Sequence, residues 1–406
     1  MSRERVPISG ARLAIDGGSP IRSTLLPYAR QEISDDDVAA VAAALRSDWL
    51  TTGPRVPAFE EALAAVTGAR HAVAFSSGTA TLHGAIASLA LAPGAEVLTT
   101  PMTFAATANA ILYAGAEPRF ADVDPASLLL DPAAAAAAVT PRTRAIVPVD
   151  YAGQPADYER LRLVADAAPG GPIPIVADAA HSLGATLRGR TVGTLADLTV
   201  LSFHPAKILT TGEGGAALTD DGDRAAFLRR FRNHGIATER AARRDWSYAM
   251  VELGYNYRLT DVMAALGTSQ LARLDTFLAS RRRLAGRYRA ALANHWALDV
   301  QAVAPEADPA WHLFVVLLRP ELLRVDRAAV YHALRAEGIG VNVHYLPVHR
   351  HPFYRERYPD LEGRFPVAEA AYERLLTLPL FSAMTDGDVD DVVAALDKVT
   401  AAYRAD

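Results

Sequence analysis

An α/β protein with a mostly parallel sheet of about seven strands, followed by a smaller α+β region, is the class that this 406-residue sequence predicts. Three observations lead there. From about residue 70, short continuous apolar runs alternate with helical stretches, and runs of that kind are strands buried on both faces. Small, hydroxyl-bearing or acidic residues directly follow several of these runs, at the strand ends where open α/β sheets place their ligands. After residue 220 the rhythm changes to long helices, then to a few strands mixed with helices.

Residues 1–30 read as an irregular arm containing Gly17, Gly18 and Pro20. Ser34 then caps a helix that opens with Asp35, Asp36 and Asp37, acidic groups suited to the positive end of the helix dipole. Strands are expected at 72–75, 96–99, 118–122, 145–149, 173–177, 198–203 and 215–219. Helices fit between them at 79–91, 104–114 and 158–168, and the alanine run 133–138 fits a helix opened by Asp131-Pro132. Further helices are expected over 223–233 and from Thr260 to about residue 292. A strand at 312–318, a helix at 327–337, a strand at 340–344 and helices near 367–376 and 386–404 complete the chain. The organisation is an N-terminal arm over 1–30, a large α/β domain over 31–275 and a small α+β domain over 276–406.

Composition excludes several functions. Half the residues are hydrophobic and 21% are charged, enough apolar surface for a sizeable core and not the balance of a disordered chain. A net charge of −5 argues against a nucleic-acid partner held by a basic patch. The absence of cysteine rules out disulfides, thiolate metal sites, iron–sulfur clusters and a cysteine nucleophile. Residues 71–95 and 97–116 carry no charge, but Ser, Thr, Gly, Asn or Pro interrupts both, so neither reads as a membrane span. No apolar leader follows Met1-Ser2-Arg3-Glu4-Arg5, and a cytoplasmic protein is expected.

Of the 41 basic residues only Lys207 and Lys398 are lysine. Arginine replaces lysine at most solvated or phosphate-contacting positions, but it cannot form a Schiff base and is not readily deprotonated. Lys398, near the end of Asp391-Val-Val-Ala-Ala-Leu-Asp-Lys398, reads as part of the polar face of a terminal helix. Lys207 closes Ser202-Phe-His-Pro-Ala-Lys207, after a buried strand and before the glycine-rich Thr210-Thr-Gly-Glu-Gly-Gly215, a crowded turn in which a lysine can act as nucleophile and proton carrier. Two other segments bear on it. Ser76-Ser-Gly-Thr-Ala-Thr81 lies between a strand and a helix, where free N–H groups and hydroxyls can bind a phosphate or form an ordinary capped turn. Asp178 ends a buried strand in Ile175-Val-Ala-Asp-Ala-Ala-His-Ser182, where it can cap a helix or keep a pyridine nitrogen protonated. Neither a Walker A loop nor a dinucleotide fingerprint occurs.

Taken together, these segments resemble the DegT/DnrJ/EryC1/StrS family of nucleotide-sugar aminotransferases, pyridoxal 5'-phosphate enzymes of the aspartate aminotransferase fold (fold type I), over about residues 25 to 400. The resemblance implies that Ser77, Gly78 and Thr79 form the phosphate turn and that Ser202 is a further phosphate ligand. It makes Phe104, in Pro101-Met-Thr-Phe-Ala-Ala-Thr-Ala-Asn109, the aromatic that stacks on the cofactor ring. Asp178 becomes the ring-nitrogen partner, His181 the group near the phenolic oxygen and Lys207 the lysine that bonds the cofactor. Asn256, in Gly254-Tyr-Asn-Tyr-Arg-Leu-Thr-Asp261, becomes the group that reaches the phosphate of a neighbouring subunit, which implies a homodimer with shared sites.

Within the family the chain looks closest to PseC-like enzymes, which aminate C4 of a UDP-linked 4-keto-6-deoxy-N-acetyl hexose. Val149-Asp-Tyr-Ala-Gly-Gln154, Arg232-Asn-His-Gly-Ile236 and Val341-Asn-Val-His-Tyr-Leu-Pro-Val-His349 carry that likeness, and it turns His344 and Tyr345 toward the sugar. The implied donor is L-glutamate. A dTDP- or GDP-linked 4-keto-6-deoxy sugar is the alternative acceptor. Relatives that act as sugar dehydratases carry His at the lysine position, so Lys207 argues against that reaction. Regulators built on this fold carry an added DNA-binding module, and only a short arm precedes the match here. His344, His349 and His351 are spaced like no common zinc signature, so no metal is expected. His83, His295 and His332 read as helix residues without special roles.

Overall fold

The computed structural model describes residues 12–237 and 246–405. Its main sheet is built in chain order from β1 (His71–Phe75), β2 (Glu96–Thr99), β3 (Glu117–Phe120), β4 (Thr143–Val147) and β5 (Val176–Asp178). A two-stranded ribbon follows, β6 (Thr186–Leu187) and β7 (Arg190–Thr191), and then β8 (Leu198–Ser202) and β9 (Gly215–Thr219) return to the sheet. Two ladders, β3-β2-β4 and β5-β8-β9-β1, are joined by parallel bridges from Ile146 to Ile175 and from Val149 to Asp178. All seven expected strands are therefore present, in the order β3-β2-β4-β5-β8-β9-β1, and the sheet is mostly parallel: only β9 runs against its neighbours among these pairings. The strands are almost wholly buried, which is why they read as continuous apolar runs.

Helices α1 (Asp35–Leu45) and α2 (Arg55–Thr67) precede the sheet. Ser34 caps α1 reciprocally with Asp37, each side chain accepting from the other's N–H. Helices α3 (Gly78–Ala87), α4 (Ala105–Tyr113), α5 (Pro132–Ala138), α6 (Tyr158–Asp166) and α7 (Gly222–Phe231) follow the strands. The helix expected from 260 to 292 is two, α8 (Asp261–Leu271) and α9 (Leu274–Leu292). The break at Arg273 lets its guanidinium and the Gln270 amide both reach Asp37, each at 2.6 Å, and no glycine or proline announces it. Helix α9 carries Leu274, Phe277 and Leu278 into the large core, and Leu284, Tyr288 and Leu292 into the core of the smaller region.

That smaller region holds an antiparallel sheet of β10 (Leu298–Val300), β12 (Phe314–Leu318) and β13 (Leu375–Leu378), while β11 (Ala307–Asp308) pairs back onto β6. Helices α10 (Arg327–Ala336), α11 (Pro352–Arg357), α12 (Pro366–Arg374) and α13 (Asp386–Ala402) pack around it. Two expectations fail here. Residues 340–344 make no strand: Gly340 N–H donates to Leu26 O, and only Asn342 pairs with Thr377. The partner changes within two residues, so no ladder forms. The helix expected to reach 376 stops at Arg374, because the apolar run that follows pairs with β12 as β13.

Lys398 corrects a further expectation. It is 4% exposed, not on a solvated face. Its Nζ donates to Ser19 O (2.8 Å) and lies 2.8 Å from the wholly buried carboxylate of Glu337, which also accepts from the N–H groups of Ala14 and Ile21. The arm is thus tied onto α10 and α13, covering the face of α13 that the sequence pattern left to water. Among the described residues no helix is long and apolar enough to cross a membrane.

Candidate active site

The C-terminal ends of β1, β5 and β8 bring the expected residues together. Ser77, extended at φ −163°, caps α3 by accepting from Ala80 N–H (3.1 Å). The first N–H groups of a helix have no partner within it, so the Ser77-Gly78-Thr79 turn can present donors to an anion. Gly78 lies hard against β8: a Cβ there would sit 2.8 Å from Ser202 Cβ. Only glycine permits that approach, which brings the Ser202 hydroxyl beside the turn.

Parallel pairing sets Asp178 opposite Val200, two residues before Ser202, so β5 and β8 deliver the acid and the serine side by side. Asp178 is 6% exposed; its Oδ2 accepts from Thr107 Oγ1 (2.7 Å) and its Oδ1 from Ala180 N–H (3.2 Å). Burial pushes this carboxyl up, while the two hydrogen bonds and the Lys207 cation pull it down. Lys207, half-buried in the turn after β8, is affected in the opposite sense. Burial lowers its amine from 10.5 to about 8, against the pull of Asp178.

His181 lies three residues beyond Asp178 and is buried. Its Nε2 meets Tyr345 Oη at 3.1 Å, and its Nδ1 has no hydrogen-bond partner among the described residues. Burial and the nearby Lys207 hold it neutral, well below the ordinary histidine range. Phe104 stands at the N-cap of α4, 61% exposed, with its ring 5.9 Å from that of Tyr345. His344 is buried against Tyr345 (ring centroids 4.9 Å) and Tyr28 (5.2 Å), with its Nδ1 2.9 Å from Thr377 Oγ1. Asn256 is exposed, but its loop is stitched to the turn before α3 of its own chain, where Ser76 N–H donates to Tyr257 O (2.8 Å).

The remaining histidines disperse. His349 Nε2 pairs with Glu369 (2.9 Å), and among the described residues no group of three or more metal-ligating side chains gathers. His83 sits on α3 among Tyr113, Phe231, Tyr255 and Tyr257, and His332 lies on α10; His295 falls just past α9, not within it as expected, 3.3 Å from Asp397.

Several neighbours escaped sequence reasoning. Thr107 holds Asp178 and is itself met by Thr103 Oγ1 (2.8 Å); it stands three residues after Phe104 on one helix, a spacing that could have found it. His312, its ring 4.3 Å from that of His181, and Tyr28, delivered by the arm, carry no local signal.

The residues present fit pyridoxal phosphate. A phosphate needs N–H and hydroxyl donors, a pyridine nitrogen needs a carboxylate, and an aldehyde needs an amine that can lose its proton; the unpartnered His181 Nδ1 leaves a buried ring atom free for one more contact. Comparison with known proteins agrees. The model of the DegT/DnrJ/EryC1/StrS aminotransferase family matches residues 31–397. The chain is 40% identical over 380 residues to the spore coat polysaccharide biosynthesis protein SpsC of Bacillus subtilis, covering 92% of this chain and 97% of that one. Spr1654 of Streptococcus pneumoniae, solved in PLP- and PMP-forms, superposes with a TM-score of 0.87 at 30% identity; in the PLP-form the match covers 93% of this chain and 98% of that one. Helicobacter pylori PseC, an aminotransferase involved in the biosynthesis of pseudoaminic acid, gives a TM-score of 0.88 at 27% identity, covering 94% and 100%.

Proposed function

The chain belongs to the DegT/DnrJ/EryC1/StrS aminotransferase family and is a pyridoxal phosphate-dependent sugar aminotransferase; we propose that it moves an amino group from L-glutamate to the C4 keto group of a UDP-linked 4-keto-6-deoxy-N-acetyl hexose. The observation that carries the reading is the lysine–carboxylate pair at the ends of β8 and β5. The cofactor supplies an electron sink. Lys207 would hold the group through its Nζ, and its free amine would take the proton from the donor's α-carbon and return one at C4 of the sugar. Asp178 holds the ring nitrogen protonated, and Thr107 fixes the carboxylate's orientation. Ser77, Gly78, Thr79 and Ser202 hold the phosphate, Phe104 covers one face of the ring and His181 stands by its phenolic oxygen. His344 and Tyr345 face the sugar.

The likeness to PseC supports the choice of sugar. A homodimer in the cytoplasm, with Asn256 serving the partner's phosphate, completes the reading. The apolar side chains of residues 246–253 support that assembly: Trp246 is 92% exposed and Leu253 75%, with Met250 and Val251 beside them, more than a solitary chain usually shows to water.

Borohydride treatment of purified holoenzyme fixes the cofactor to the Lys207 peptide, and Lys207→Arg abolishes turnover, because a guanidinium neither bonds the cofactor nor carries the proton. An adduct on Lys398, or near-normal turnover of the variant, refutes the assignment. The UDP-linked N-acetyl sugar gives a higher kcat/KM than dTDP-4-keto-6-deoxyglucose or GDP-4-keto-6-deoxymannose. The reverse order reassigns the sugar and leaves the cofactor chemistry standing.

A further inference from the structure

Val149-Asp-Tyr-Ala-Gly-Gln154 supplies none of the groups assigned above to the cofactor or the sugar, yet the turn it forms after β4 is bonded to both sides of the site. Asp150 is fully buried; Oδ1 accepts from Ala156 N–H and Tyr158 Oη, both at 2.8 Å, and Oδ2 from Ser182 Oγ at 2.6 Å. Ser182 is the residue after His181. The Asp150 N–H donates to Asp178 O (3.0 Å), and the Asp178 N–H donates to Pro148 O (2.9 Å). On the other side Tyr151, 1% exposed, donates its hydroxyl hydrogen to His344 O.

Ala152 and Gly153 are both left-handed, at φ +62° and +99°. Their carbonyls accept from Leu313 N–H (3.2 Å) and Ala310 N–H (2.9 Å), on either side of His312, the ring that packs on His181. A Cβ on Gly153 would lie 2.8 Å from His312 N, so the two segments touch through bare backbone. Gln154 spans to the same region, its Oε1 accepting from Ala304 N–H at 2.9 Å. A non-glycine residue such as Ala152 keeps this conformation only where its surroundings over-determine it, and here bonds on both flanks do so.

We infer that the 150–154 turn is a bracket that sets the spacing between the cofactor wall, Asp178 and His181, and the sugar wall, His344 and Tyr345, with Asp150 and Tyr151 as positioning residues. The inference rests on the reading of those two walls given above, and its two ends can be cut separately. Tyr151→Phe removes one hydroxyl and leaves His344 O without its donor. The KM for the nucleotide sugar then rises about fivefold, the effect of one neutral hydrogen bond, while the cofactor's dissociation constant and the visible band of the holoenzyme stay as in the parent. Ser182→Ala releases the other end. It weakens cofactor binding by about fivefold and shifts the band, while the sugar KM moves by less than about twofold. The bracket is overturned if Tyr151→Phe leaves the sugar KM within about twofold of the parent, or if both variants lower the melting temperature and move both readouts in equal proportion, as general loosening would. His344→Asn separates this result from failure of the walls themselves. If it leaves the sugar KM unchanged, the sugar wall is misplaced and the bracket falls with it; if it raises KM while Tyr151→Phe does not, the bracket alone falls.

Discussion

Lys207 and Asp178 meet burial with opposite consequences. Taking a charge out of water disfavours it in both, and each is the other's compensation. An amine lowered to about 8 is neutral in roughly one molecule in ten at pH 7, against roughly one in three thousand at 10.5. The neutral amine is the one that attacks a carbonyl. Uptake of pyridoxal phosphate by cofactor-free protein, followed by absorbance, therefore quickens as pH rises to about 8 and levels above it; a rate that keeps climbing toward 10.5 shows an unperturbed lysine. Scarcity is what made Lys207 legible. The same scarcity marked Lys398, but helical periodicity argued it away, since nothing local tells that the arm lies over that face of α13. Thr107 shows a milder gap: its helix was foreseen, but its partner Asp178 is 71 residues on, and such a contact exists only after folding.

At the scale of elements, the strands were legible because burial on both faces leaves continuous apolar runs. Residues 340–344 and 375–376 were misread for one reason: pairing with the arm and with β12 decides them, not their own sequence. The Lys398–Glu337 pair holds that arm. Lys398→Met removes the cation and leaves a carboxylate with no exposed surface unpaired, which costs about 3–5 kcal/mol. Denaturant unfolding reads the loss, and the amides of Ala14 and Ile21, which donate to Glu337, lose hydrogen-exchange protection first. A variant within about 1 kcal/mol of the parent shows that the pair contributes little beyond the arm's apolar contacts.

For the whole molecule the question is whether Asn256 serves the phosphate of a partner, of its own chain or of neither. The loop touches its own chain at Ser76, while its side chain faces outward. If it serves the partner, Lys207→Ala and Asn256→Ala each damage a different chain's site. A mixed dimer then holds one site with both residues and one with neither. Co-expression restores up to about a quarter of wild-type activity, since half the dimers are mixed and each has one good site of two. Provided that Asn256→Ala alone is impaired, no recovery in verified mixed dimers puts Asn256 in its own chain's site or outside it. Resemblance alone implies assembly of this kind in the sequence, because exposure of residues 246–253 is a property of the folded surface.

The enclosure of Lys398 has a practical corollary. One of the two lysines is sealed beneath the arm and the other, Lys207, is half-buried in the turn after β8, so the described exterior offers no fully exposed lysine side chain to a reagent. Dyes, resins and cross-linkers that acylate primary amines find the α-amino group and, in cofactor-free protein, Lys207. With Lys207 as the reacting lysine, random amine coupling to cofactor-free protein becomes a titration of sites, and immobilisation through carboxylates, or with the cofactor bound, avoids that loss.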